Sequence, residues 1–235
     1  MRLPRVLLFA YLCLAAAAAS RAQNSPSEYA TFMSHGRAVS CAVYGNEDAA
    51  APTLIFLRGV SPADLILGRQ EAHFFAEHGF RVLLPDYLST TATAATTAAN
   101  YRRWAQVIDD IVVDLRSRPI PHSKKIAVAG QGLGASVALV AASNKLEVQA
   151  IAEWSGLLPN EFFSQVRSLP PLLILHGELD KQVPIVNARQ LVRLCELKDF
   201  TCEIQIYAGE GHVFAGHIMD SANQRVLAFL KTYLH

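Results

Sequence analysis

Short runs that are apolar at every position recur along this chain, and each is followed by a segment with helical spacing. Residues 53–57 (TLIFL), 126–129 (IAVA) and 172–175 (LLIL) are the clearest. A strand that faces solvent on one side alternates apolar and polar residues. A continuous run instead marks a strand buried on both faces, as in a parallel sheet. Further strands are expected at 81–84, 148–154 and 202–207, and an alternating one at 37–44 ahead of Gly45-Asn46. Helical spacing is found at 70–78, stopped by Gly79, and at 101–115, with Pro119 and Pro121 beyond its end. It returns at 133–142, 185–197 and 221–233. Strands alternating with helices predict an α/β fold, a mostly parallel sheet with helices on both faces. Residues 89–100 (STTATAATTAAN) hold five Thr and five Ala, and read as an exposed loop at the ligand-binding edge of such a sheet.

The N-terminus stands apart. Arg2 and Arg5 precede 14 uninterrupted apolar residues at 6–19, and small residues flank Arg21 at Ser20 and Ala22. This is the pattern of a cleaved secretory signal at 1–22, too short for a spanning helix of about 20 apolar residues. Its removal takes away three arginines and no acid. The mature chain, 23–235, then has 213 residues and a formal charge of −2 in place of +1. That length suits a single domain with a sizeable core and leaves little room for a large lid. No basic run exceeds two residues, so nucleic acid is not an expected partner, nor is a membrane once the signal is gone. The expected compartment is periplasmic or extracellular. There, Cys195 and Cys202 could close a short loop between a helix end and the next strand, with Cys41 left as a small buried hydrophobe. No His, Cys or acidic cluster has metal-ligand spacing, and His73 and His78 do not share a helix face well.

The densest motif is Gly130-Gln131-Gly132-Leu133-Gly134-Ala135-Ser136, a glycine turn between a buried strand and a small-residue helix. It has two readings. Gly130, Gly132 and Ala135 fit a dinucleotide fingerprint, with Glu153, 23 residues beyond Gly130, as the ribose-binding acid. Gly130 and Gly134 also frame a nucleophile elbow, G-x-S-x-G, in which the central position is Gly132. Ser136 does not substitute for it, because it lies inside the helix. Downstream residues favour the elbow: Asp180 lies just past the strand at 172–175, and His212 lies in a glycine-flanked loop past the last strand. Turn, acid, histidine is the chain order of an α/β-hydrolase triad. Nothing in the dinucleotide reading accounts for them, and no cofactor is expected.

On the segments HGELDKQVP (176–184), YAGEGHVF (207–214) and LLPDY (83–87), the chain resembles the dienelactone hydrolase branch of the α/β-hydrolases over residues 50–235. The resemblance implies an α/β-hydrolase fold, Asp180 as the acid and His212 as the base. It also implies Cys or Ser where this chain has Gly132. By the same analogy the backbone N–H of Leu133, with one from Gly59 or Val60, would hold an oxyanion, and Gln131 and Arg58 would border the ligand. Arg58 could grip a carboxylate or stand ion-paired. His176 is expected to be packed or backbone-bonded, Ser155 to be non-catalytic, and Tyr87 to line the cleft mouth or be structural.

Glycine has no atom with which to form an acyl-enzyme. The leading expectation is therefore an exported, catalytically disarmed hydrolase that binds a small ester- or carboxylate-like ligand. Alternatives are an esterase-type hydrolase that remains active and an enzyme in which the Asp180–His212 pair activates water or abstracts a proton. A non-enzymatic exported binding module is a further alternative.

Overall fold

The computed structural model describes residues 25–45, 48, 51–119 and 125–234; the expected signal, Asn46 and Pro121 lie outside them. Eight strands form one sheet: β1 Glu28–Ser34, β2 Arg37–Tyr44, β3 Thr53–Leu57, β4 Arg81–Pro85, β5 Ile126–Gln131, β6 Ala150–Trp154, β7 Leu172–Gly177 and β8 Cys202–Tyr207. Their order is β1-β2-β4-β3-β5-β6-β7-β8. The β1–β2 and β2–β4 pairs are antiparallel and the rest of the sheet is parallel.

Helices α1 Pro62–Glu77, α2 Ala98–Ser117, α3 Leu133–Ser143, α4 Asn160–Phe163, α5 Val186–Lys198 and α6 Gly216–Leu234 connect or follow the strands. One core cluster packs α2, α3 and α5 on one face of the sheet, around Trp104, Ile108, Val137 and Leu191. The other packs α1 and α6 on the opposite face, around Phe56, Phe75, Trp154 and Val226. The continuous runs behave as their composition requires: β3 and β7 are buried at every residue. At 25–30 cal/mol per Å², burying each of their Leu, Ile and Phe side chains stabilises the fold by about 1.5–3 kcal/mol.

Three elements depart from the sequence expectation. No strand is expected ahead of residue 37, yet β1 pairs with β2 along its whole length. Its exposed face carries Tyr29 and Met33, apolar residues that blur the two-residue period. Helix α1 starts eight residues before the expected 70, at a capping box in which Ser61 Oγ accepts from Asp64 N and Asp64 Oδ2 accepts from Ser61 N. Gly68 hides the helix from a propensity reading; it is buried, and a Cβ there would stand 3.0 Å from the Arg58 side chain. The Thr/Ala-rich stretch is a loop only in part. Residues Tyr87–Thr90 form a 3₁₀ turn, and Thr97 caps α2 through Asn100 N at 3.2 Å.

Cys195 and Cys202 are joined in a disulfide between the last turn of α5 and the first residue of β8. Cys41 is buried and free, and burial pushes its thiol up to about 12.

Candidate active site

The parallel strands deliver their C-terminal loops to one edge of the sheet, and a cleft of about 570 Å³ opens there. One wall is Gly59, Val60 and the start of α1; Gln131, Gly132 and Leu133 form the floor. Leu157, Gln182, Val183, His212 and Val213 close the other side. Tyr101, from the first turn of α2, and Thr96, from the Thr/Ala-rich stretch, complete the lining.

The floor is fixed by backbone packing. A Cβ at Gly130 would stand 2.6 Å from the carbonyl carbon of Gly134, and one at Gly134 would run into the Leu57 carbonyl. Only glycine lets α3 approach β3 and β5 so closely. Between these two, Gly132 adopts φ +52° and ψ −115°, a conformation that strains a residue with a side chain. Its N–H donates to Trp154 O at 2.9 Å and its carbonyl accepts from Ser136 N at 3.1 Å. Leu133 opens α3, where an N–H has no acceptor within its own helix. Ser136 is turned inward as expected from its place in the helix: its hydroxyl donates to Gly132 O and accepts from Leu157 N.

Asp180 and His212 meet above this floor. Their loops follow adjacent strands, β7 and β8, so residues 32 apart in sequence become neighbours. Asp180 is buried; its Oδ1 accepts from Gln182 N and Val183 N at 2.8 and 2.9 Å. Its Oδ2 lies 2.8 Å from His212 Nδ1. A carboxylate can only accept, so Nδ1 carries the proton, and in the neutral ring Nε2 presents a lone pair. That nitrogen faces Gly132: a Cβ added there would stand 3.0 Å from Nε2 and 3.6 Å from Cε1. The His212 side chain keeps 18% of its surface exposed, enough to meet a ligand.

His176 is fully buried behind the acid, with Nε2 2.8 Å from Val183 O and 3.5 Å from Asp180 Oδ2, so it braces the acid loop away from the cleft. Glu153, the ribose-binding acid of the dinucleotide reading, does not line the cleft. It is wholly buried and accepts from Gly156 N at 2.7 Å. Burial pushes its carboxyl up to about 8; the Gly156 bond opposes that rise and the charge of Asp180 adds to it. Glu153 is therefore largely protonated at neutral pH.

Among the other expected site residues, Gly59, Val60, Gln131 and Leu133 border the cleft, and Arg58 does not. The Arg58 guanidinium donates to Gly59 O at 2.9 Å and pairs with Asp86 at 3.3 Å. It ties the loop after β3 to the loop after β4 instead of facing a ligand. Tyr87 is buried and structural, its hydroxyl donating to Arg58 O at 2.7 Å. Ser155 is buried as well, with a φ of +53°. No group of three or more metal-ligating side chains occurs among the described residues. Ser61, Asp64, Tyr101 and Gln182 line the cleft without having been expected there from sequence. Of these, the Ser61-Pro62-Ala63-Asp64 capping box carries a readable signal.

The comparison that decides the lineage is a match of residues 41–234 to the model of the dienelactone hydrolase family. The chain belongs to the dienelactone hydrolase family. Its fold is the α/β-hydrolase fold, shared with solved structures at low identity. One is Thermogutta terrifontis esterase 2 phosphorylated by paraoxon, at TM-score 0.70 and 17% identity, covering 86% of this chain and 92% of that one. The same esterase with butyrate bound superposes at 0.67 and 17% identity, covering 90% and 94%. A dienelactone hydrolase-like promiscuous phosphotriesterase from metagenomic libraries, P91, matches at 0.70 and 15% identity, covering 88% and 98%. A search of curated protein sequences gives no match.

Proposed function

We propose that this protein is an exported dienelactone hydrolase-family member in which Gly132 occupies the place of the nucleophile. It binds a small ester-like ligand without forming a covalent intermediate. The observation that carries this reading is the 3.0 Å between His212 Nε2 and the site of a Cβ on Gly132. In a hydrolase triad the base meets the nucleophile's side chain at that place, and here no side chain exists. The Asp180–His212 pair and the Leu133 N–H remain, because neither depends on the missing group. In a serine protease, loss of the nucleophile costs about 10⁶ in kcat, roughly 8 kcal/mol of barrier. A deficit of that size removes ordinary covalent ester hydrolysis.

A carboxylate ligand loses support, since Arg58 is committed to Gly59 and Asp86. Export draws support from the signal-like segment at 1–22 and from the Cys195–Cys202 disulfide, a bond that persists in oxidising compartments. No helix among the described residues is long and apolar enough to cross a membrane.

The test compares the mature protein with Gly132→Ser and Gly132→Cys on short p-nitrophenyl esters. The parent is expected to be silent, and at least one variant is expected to turn over in a manner abolished by His212→Ala. Turnover by the parent that depends on His212 would overturn the reading in favour of water activation. Folded but silent variants would overturn the placement of Gly132.

A further inference from the structure

We infer that the ligand of this cleft is an uncharged molecule carrying its own hydroxyl group, which takes the hydrogen bond a nucleophile would have made to His212. The inference rests on the reading of Gly132 given above and adds the chemistry of what fills the gap.

Nδ1–H of His212 is committed to Asp180 Oδ2 at 2.8 Å, so Nε2 is an acceptor in search of a donor. In an intact triad the donor is the nucleophile's own O–H or S–H. Here the nearest floor residue is Gly132, which offers only backbone, and its N–H is already bonded to Trp154 O. A ligand O–H is the group that fits: its oxygen can stand about 2.8 Å from Nε2 in the open space above Gly132. Beside it, the Leu133 N–H at the start of α3 provides a donor for a carbonyl oxygen. An acceptor next to a donor is complementary to a hydroxyl next to a carbonyl, as in a hydroxy ester.

Charge narrows the class further. Apart from His212 and the phenol of Tyr101, the ionisable residue among those lining the cleft is Asp64, and its carboxylate is held in the capping box by Ser61 N at 2.7 Å. The guanidinium of Arg58, beside Gly59 in sequence, is bound to Gly59 O and Asp86. An anionic ligand would meet no lysine or arginine among the lining residues, would sit close to the buried Asp180 carboxylate, and would lose hydration without a fixed cation to replace it. The walls contributed by Val60, Leu67, Leu157, Val183 and Val213 instead suit an apolar substituent.

Three probes that differ by one feature test this: methyl mandelate (neutral, hydroxyl present), methyl phenylacetate (neutral, hydroxyl absent) and mandelate (hydroxyl present, anionic). Binding to the mature protein is measured by calorimetry or ligand-observed NMR. Methyl mandelate is expected to bind at least fivefold tighter than methyl phenylacetate, the worth of roughly one hydrogen bond, and at least tenfold tighter than mandelate. The hydroxyl preference is expected to vanish in His212→Ala and to be strongly reduced in Gly132→Ser, whose own hydroxyl would occupy Nε2. Unfolding curves for both variants confirm that they are folded. His212→Phe serves as the second variant if the alanine change unfolds the chain. Equal binding of the two esters, or mandelate binding as well as its ester, would overturn the inference. The p-nitrophenyl ester assay of Gly132→Ser separates the two levels: a variant that turns over while the hydroxyl preference is absent leaves the reading of Gly132 intact and removes only this one.

Discussion

The loop after β7 and the turn after β5 reach the same cleft from the same sheet, and they are held in place by different means. The acid loop is fixed by side-chain polar bonds. Both oxygens of Asp180 are engaged, by two backbone N–H groups and by His212, while His176 pins the loop through Val183 O. The glycine turn is fixed by backbone contact, with Gly130 and Gly134 pressed against neighbouring main chain and Gly132 at a φ of +52°. The first device would fail if its polar groups were changed. The second would fail if side chains were added. The contrast shows a turn whose contacts come from its outer glycines and main chain, so that its central position needs no side chain to hold it.

The largest effect should come from challenging the packing side. Gly134→Ala drives a Cβ into the Leu57 carbonyl, and is expected to destabilise the protein by more than about 3 kcal/mol or to prevent folding. Gly132→Ala, two residues away, meets only the tip of the His212 ring at 3.0 Å and the strain of its φ. It should cost about 1–3 kcal/mol and leave the chain folded. Urea unfolding of the two variants side by side checks the ranking. Equal costs would mean that the central glycine is as structural as its neighbours.

A smaller effect sharpens the polar side. Glu153 has its carboxyl raised from 4.5 to about 8, so the folded state holds a proton that the unfolded chain releases. That contribution is complete below pH 4.5 and is lost as pH rises through about 8, so stability should fall with rising pH. Glu71, buried between α1 and α6 and raised to about 7, adds to the slope at lower pH. Between about pH 7 and about pH 8 Glu153 therefore contributes the larger part of the loss, and the comparison with Glu153→Gln subtracts what Glu71 still adds. There the parent should lose roughly 1 kcal/mol more than Glu153→Gln does, read from denaturant midpoints at the two pH values. Parallel losses in parent and variant would show that Glu153 is not held neutral.

How much is legible from residues alone divides along the same line. The buried strands β3, β5 and β7 are readable because each is a short run, apolar at nearly every position and bounded by turn residues, which fits a strand covered on both faces. Asp180 and His212 are readable because strand ends mark the loops that carry them. The wall of the cleft is not readable. Helical spacing announces α1 only from residue 70, since Gly68 and the exposed Ile66 break the pattern, although its capping box at Ser61 stands in plain view. The loop that holds Arg58 borders the site and so suggests a ligand contact; its guanidinium goes to Asp86, 28 residues away, a partner no local pattern announces. Spacing alone suggests a ribose for Glu153, whereas its burial depends on how tightly α3 and Gly156 pack around it.

The most direct test of the central claim uses paraoxon, the agent in the adduct of the structurally similar Thermogutta esterase, because covalent labelling needs a nucleophile but no knowledge of the natural ligand. Intact-mass spectrometry after incubation should find no diethylphosphoryl adduct on the parent protein. It should find one per chain on Gly132→Ser, located at position 132 and lost when His212→Ala is added. A labelled parent, or a folded Gly132→Ser variant that remains unlabelled, would contradict the claim that Gly132 stands where the nucleophile would be.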